Sequence, residues 1–329
     1  MIEPICIELP TVFGMKTVNC YLFKEPEPIL IDCGENSEAN WQALKKGVEN
    51  EGLQLSDIKK MYISHLHIDH FGTAGRLAEN FGTEIWLNEF SDGPAQHFDN
   101  YDAQLKKLIY HYAAKLVSYN PQELENPFIK LATKNKKQPK GIDMWHPIPE
   151  ALCKVYKDGD LLNFGNQKWK VMYMPGHCQN QVVYYQAQSK QLLSTDMILK
   201  VTPSPFFESE SLQPDVRIKG LPIMMESYNK LLKLDIDVAY PGHYEIIQNP
   251  KLLVEKQVKH IHARKEKCYS FIANGTDNFL QLYQQMYEHF TIPAFTMLTG
   301  YIDLLEAEGK VKWIEDETSI GFECVWRYI

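Results

Sequence analysis

The sequence predicts an α/β protein whose chemistry sits just past the ends of its strands. Two observations carry this. In the N-terminal part, short β-favouring stretches alternate with amphipathic helical ones. The segment Ser64-His-Leu-His-Ile-Asp-His follows one of those strands directly, and Pro-Gly-His follows an apolar stretch twice, at His177 and at His243. Loops held at strand ends by a sheet are where α/β proteins build sites.

The elements follow in order. Pro4–Thr11 and Val18–Glu25 are rich in β-favouring residues and flank the turn-like Phe13–Lys16. Pro28–Gly34 reads as a short buried strand ending at Asp32 and Gly34. Ser37–Gly52 reads as a helix: Ser37 offers a cap, Trp41, Leu44 and Val48 lie at helical spacing, and Gly52 follows the end. Ile58–His65 is the next strand, Ala74–Gly82 a helix and Thr83–Asn88 a strand.

From about residue 91 to 145 the pattern becomes helical, with Leu105, Leu108, Ile109, Tyr112 and Leu116 at helical spacing and a basic loop at 132–141. This stretch is expected to be a helical insertion. Strands resume over 154–177, 181–196 and 235–243. Residues 251–275, 277–290 and 293–309 read as helices, and 310–329 as a hairpin, which is the order of a winged-helix module. The predicted organisation is a domain over 1–249 and a second over 250–329.

Bulk properties set limits. At 329 residues the chain exceeds the roughly 250–300 at which one core stops growing. It is 44% hydrophobic and 23% charged, with net charge −8. That balance disfavours an extended phosphate-binding surface and leaves room for a local basic patch. Seven cysteines without a CxxC argue against a disulfide framework and for a reducing compartment. With neither a basic leader nor a membrane-length apolar run, the expected location is cytoplasmic.

The histidines then need explaining. His65 and His67 are two apart, so in extended chain both rings face one way and reach one ion. Asp69 and His70 follow where the chain turns towards a helix, which suits a second ion. His177, Asp196 and His243 each end a strand, and the glycine before His177 and His243 permits a bend that aims the ring outward. All are nitrogen or oxygen donors, which suits zinc and admits iron or manganese.

This set (His-Leu-His-Ile-Asp-His at 65–70, Gly176-His177, Asp196, Gly242-His243, with the early Asp32-Cys33-Gly34) resembles the metallo-β-lactamase superfamily over about residues 1–250. The resemblance implies an αββα sandwich with two metal ions at one edge. It implies His65, His67 and His177 on the first ion, and Asp69, His70 and His243 on the second. Asp196 and a hydroxide would bridge both, and Asp69 would be catalytic by taking up a proton. Paired ions lower the pKa of a bound water towards about 7 and hold the substrate oxygen. Relatives that reduce oxygen at a di-iron centre carry Glu where His67 stands, so a metal-dependent hydrolase is expected.

The gap from His70 to His177 is long, and the insertion fills it. Tyr110, His111 and Tyr112 on its helix either contact substrate or pack the insertion. Lys200, in the loop after Asp196, is a candidate grip for an anionic group, and Phe206 and Phe207 wall a pocket or join the core. Cys178, beside His177, suits packing better than attack. The tail resembles the glyoxalase II-like and β-lactamase-like-2 branch, which is similar in carrying a C-terminal winged-helix-like region. Between residues 250 and 329 nine Lys/Arg face eleven Asp/Glu, so this tail suits packing or homo-oligomer formation better than DNA reading. The expected substrate is a small ester, thioester or lactone. The alternative is a phosphodiester, including RNA, cut by the same fold.

Overall fold

A computed structural model describes residues 3–13, 15–116, 144–210, 213–315 and 320–325. Contacts divide the chain into two compact units. The first comprises Met1–Phe98, Pro139–Pro203 and Lys230–Val254, and the second Asp99–Gln138, Ser204–Asn229 and Glu255–Ile329.

The first unit is built on two six-stranded sheets. One holds β1 (Ile5–Pro10), β2 (Thr17–Phe23), β3 (Ile29–Ile31), β4 (Lys60–Ile63), β5 (Glu84–Asn88) and β6 (Cys153–Tyr156) in that spatial order. β1, β2 and β3 pair antiparallel, whereas β3 to β6 run parallel. Parallel neighbours require crossovers. Helix α1 (Glu38–Asn50) makes the first, and α2 (Ile68–Phe71) with α3 (Ala74–Phe81) makes the second. Ser37 caps α1 as predicted, its Oγ accepting from Asn40 N at 3.2 Å, and Trp41, Leu44 and Val48 are buried.

The second sheet contains β7 (Leu161–Phe164), β8 (Gln167–Tyr173), β9 (Val182–Gln186), β10 (Gln191–Thr195), β13 (Val238–Pro241) and β14 (Ile247–Gln248), ordered β14-β13-β10-β9-β8-β7. Only β10 and β13 pair in parallel within it. The facing sheets share one core, in which Tyr21, Phe23 and Ile31 meet Phe164, Trp169, Val171, Tyr184 and Leu193. Its buried hydroxyls are satisfied: Tyr156 donates to Ile63 O at 2.7 Å and lies 2.7 Å from the Tyr184 hydroxyl.

Of the excursion predicted at 91–145, the described residues hold α4 (Asp92–Gln96) and α5 (Phe98–Leu116), and Met144 and Trp145 are not helical. The basic loop at 132–141 lies outside the described residues. The second unit also carries the short hairpin β11 (Ser209–Glu210) and β12 (Gln213–Arg217) and most of α6 (Gly220–Leu231). The sequence reading missed α6, although Leu221, Met224, Tyr228 and Leu231 keep helical spacing and are all buried.

Helices α7 (Pro250–Ala273), α8 (Phe279–Met286) and α9 (Ile292–Ala307) precede the antiparallel hairpin β15 (Val311–Glu315) and β16 (Ile320–Cys324). Arg217 braces this unit: its guanidinium donates to both Asp303 oxygens, at 2.7 and 2.6 Å, and Trp313 Nε1 donates to the same carboxylate at 2.9 Å. Among the described residues no helix is long and apolar enough to cross a membrane.

Candidate metal centre

The seven side chains named from the sequence converge in the first unit. His65, His67, His177 and Asp196 each offer a donor atom within 4.8 Å of the others, and so do Asp69, His70 and His243. His65 Nε2 lies 3.1 Å from His67 Nδ1, which lies 2.9 Å from His177 Nε2. Asp196 joins the groups. Its Oδ2 is 3.3 Å from His177 Nε2 and 3.4 Å from His243 Nε2, and its Oδ1 is 3.4 Å from His70 Nε2. Asp69 Oδ2 stands 3.4 Å from His243 Nε2.

Local structure explains the convergence. β4 stops at Ile63, the chain bends at Ser64, His67 is extended, and α2 starts at Ile68, so Asp69 and His70 sit in the first turn of a short helix. His177 lies between β8 and β9, Asp196 follows β10 and His243 follows β13, all in the second sheet. The chain bends at Gly242 and His243, as expected, and the glycine has a second role there. Gly242 does not adopt the left-handed conformation. A Cβ there would lie 2.1 Å from Asp196 Oδ1 and 2.6 Å from His70 Cε1, so the site lacks room for a side chain.

Groups to which the sequence reading gave no role at the metal orient the rings. Asp32 Oδ2 accepts from Ser64 Oγ at 2.7 Å and lies 2.9 Å from His70 Nδ1. Ser64 Oγ lies 3.0 Å from His65 Nδ1, and because its own proton goes to Asp32, it accepts from that ring. Thr17 O sits 2.6 Å from His243 Nδ1. In His65, His70 and His243 the proton is thus drawn to Nδ1 and Nε2 is left facing the cluster, the usual support for ligating histidines. A sequence signal existed for Asp32 and Ser64, which flank strand ends. None existed for Thr17, which acts through its backbone.

The electrostatics divide the cluster. Burial, followed by neighbouring imidazoles, keeps the His65 ring well below its ordinary pKa and brings His67 down to about 3. These rings are neutral. Burial also opposes charge on His70 and His243, but Asp196 and its neighbours outweigh it, taking His243 to about 10 and His70 well above its usual range. Burial works against ionised Asp69 and Asp196 too. His243 and His70 nevertheless hold both carboxyls below the ordinary range.

The donor set fits divalent metal. His70 Nε2 and Asp196 Oδ1 are fully buried and make no hydrogen bond, although buried polar atoms are rarely left so. Asp69 and Asp196 each stand 3.4 Å from His243 Nε2, so carboxylate and imidazole donors share one buried site, as the ligands of a cation do.

Lys200 pairs with Glu245 at 3.2 Å, and its side chain is 65% exposed. His111 is exposed, whereas Tyr112 is buried in the second unit, where its hydroxyl accepts from Arg217 N at 3.3 Å and its ring meets Phe207. The Tyr110 side chain lies outside the described residues. Cys178 is buried, its thiol donating to Asn180 Oδ1 at 3.1 Å.

Comparison with known proteins places these features. The family model described as the metallo-beta-lactamase superfamily matches residues 14–243. The chain is similar to a probable metallo-hydrolase of Bacillus subtilis (strain 168), YqjP, at 26% identity over 99% of each chain. It is similar to the hydroxyacylglutathione hydrolase GloC of Haemophilus influenzae at 22% identity, covering 62% of this chain and 80% of that one. Among solved structures, a metallo-β-lactamase family protein of Thermus thermophilus superposes with a TM-score of 0.76 at 22% identity, covering 98% of each chain.

Proposed function

The chain belongs to the metallo-β-lactamase superfamily and is a metallo-hydrolase, and from that premise we propose a two-metal enzyme that cleaves a small ester, thioester or lactone. One observation carries the reading: two donor groups, each compact enough for one ion, are joined by the carboxylate of Asp196. In this assignment His65, His67 and His177 hold the first ion, Asp69, His70 and His243 the second, and Asp196 reaches both. When bound, a divalent pair supplies an activated water and a Lewis acid for the substrate oxygen.

The chain's own residues set up that chemistry. Neutral His65 and His67 present bare nitrogens. We assign to Asp69, only partly buried, the uptake of a proton at its carboxylate during turnover. We assign the ions as zinc on the all-nitrogen-and-oxygen donor set, and the catalytic domain to residues 1–249. Helices α7 to α9 with their hairpin follow winged-helix order, and we assign residues 250–329 to packing or self-association. Lys200, His111 and Tyr112 are carried as candidate substrate contacts. The name hydroxyacylglutathione hydrolase on one relative supports an acyl-thiol substrate.

The test is a screen of the zinc-loaded protein against thioesters, lactones, simple esters, a phosphodiester reporter and single-stranded RNA. Thioester or ester turnover, abolished by Asp69→Ala, is the expected result. RNA cleavage without ester turnover overturns the assignment in favour of a nuclease.

A further inference from the structure

Beyond the Asp32 carboxylate that serves both, the two halves of the metal centre have separate supports in the first unit. The three-histidine half is held from the second sheet's side: Leu66 N donates to Asn180 Oδ1 at 3.0 Å, and Val182 N donates to Ser64 O at 3.1 Å. The half containing His70 is held by the segment that re-enters the fold at Met144–Pro147. His146 N donates to Gly72 O at 2.9 Å, and Asn36 N donates to Met144 O at 3.2 Å. Between those bonds Phe71, the residue after His70, is packed against Phe98 and Trp145, with ring centroids 4.7 and 6.2 Å away. Trp145 and Phe98 lie 5.4 Å apart and close the cluster.

The fit is tight. A Cβ on Gly75 would lie 2.2 Å from both His146 O and Pro147 O, so the backbones touch where α3 begins. On its other side His70 is fixed by Cys33 N donating to its carbonyl at 2.8 Å and by Asp32 at Nδ1. His70 can hardly shift without Phe71, and Phe71 is fully buried.

We infer that Trp145 is a positioning residue for His70, and through it for the second of the two metal positions alone. This rests on the two-metal reading above. Removing Trp145 leaves space beside Phe71, so the turn carrying His70 loosens while His65, His67 and His177 keep their supports. Supporting groups around ligands typically alter metal affinity by about 10–100-fold.

Calorimetric titration of the metal-free full chain with Zn(II), paired with Co(II) absorption spectra, tests this. Wild type is expected to take two ions. Trp145→Ala keeps the first at wild-type affinity and weakens the second by about tenfold or more. The Co(II) spectrum of its singly loaded form matches that of His243→Ala, not that of His67→Ala. Trp145→Phe restores the second ion. Gly75→Ala, which displaces the same segment without removing an aromatic ring, reproduces the selective loss and serves if Trp145→Ala does not fold. Two ions at wild-type affinity in these variants, or parallel weakening of both, overturns the inference. Fewer than two ions on wild type overturns the two-metal reading itself, before any variant is made.

Discussion

Asp32 Oδ2 lies 2.9 Å from His70 Nδ1 and, through the hydroxyl of Ser64, two hydrogen bonds from His65. One buried carboxylate therefore orients a ring in each half of the centre. Asp32→Ala is expected to weaken both ions, by about 10–100-fold each, in contrast to Trp145→Ala. It also leaves Ser64 and His70 without their acceptor, at a cost of about 1–3 kcal/mol. Zinc titration and urea unfolding of the metal-free chain measure the two effects, and unchanged zinc affinity contradicts the role.

Metal loading is expected to expel protons. His243 is raised to about 10 and His70 stands well above the ordinary imidazole range, so both carry a proton at neutral pH in the metal-free chain. A ligating nitrogen must be bare, so affinity falls as the pH falls, by about tenfold per pH unit for each proton released. Calorimetry in two buffers of different ionisation enthalpy counts those protons. Affinity that does not change between about pH 6 and 8 contradicts this prediction.

Gly242→Ala should fold and lose activity. Its Cβ would fall 2.1 Å from Asp196 Oδ1, forcing the carboxylate between the two donor groups to move. A shift of about 1 Å in such a group costs on the order of 10²-fold in rate. Circular dichroism like that of wild type, with kcat reduced to that extent, is the expected pair of results.

In the second unit, Arg217 and Asp303 form a bidentate pair whose side chains are 9% and 0% exposed. Arg217→Ala strands a buried carboxylate and should destabilise the protein by about 3–5 kcal/mol in denaturant unfolding. Arg217→Lys cannot reproduce the two-point geometry and should recover only part of that loss.

Lys200→Ala separates structure from substrate contact. The Lys200–Glu245 pair is exposed on both sides, so the melting temperature should not move. A raised KM at unchanged kcat for an anionic substrate, absent for a neutral one, would mark Lys200 as a substrate contact. Equal KM for both removes it.

The donors were legible because each stands at a strand end with a local signature: His-x-His-x-Asp-His, a lone Asp after an apolar strand, and Pro-Gly-His twice. Helix α1 was legible from its cap and spacing, and the bond from Asn40 N to Ser37 Oγ agrees. Helix α6 was missed despite a buried face at the right period; Gly220 and Pro222 at its start are poor helix formers and weaken the local signal. The glycine before His243 matters for a reason its position in the sequence does not suggest. Besides standing at a bend, it leaves the space beside Asp196 free of a side chain.

By itself the sequence determined the residue types, their order and their positions after strands, since those depend on local periodicity and turn chemistry. Only the tertiary structure decided that Thr17, far from His243 in the chain, lends its carbonyl to that ring, that Trp145 packs beside the residue following His70, and that each compact unit is assembled from three separate segments. Such relations come from sheet pairing and side-chain packing between distant segments. Backbone carbonyls are the same in every residue, and the fit of one ring against another leaves no periodic trace along the chain.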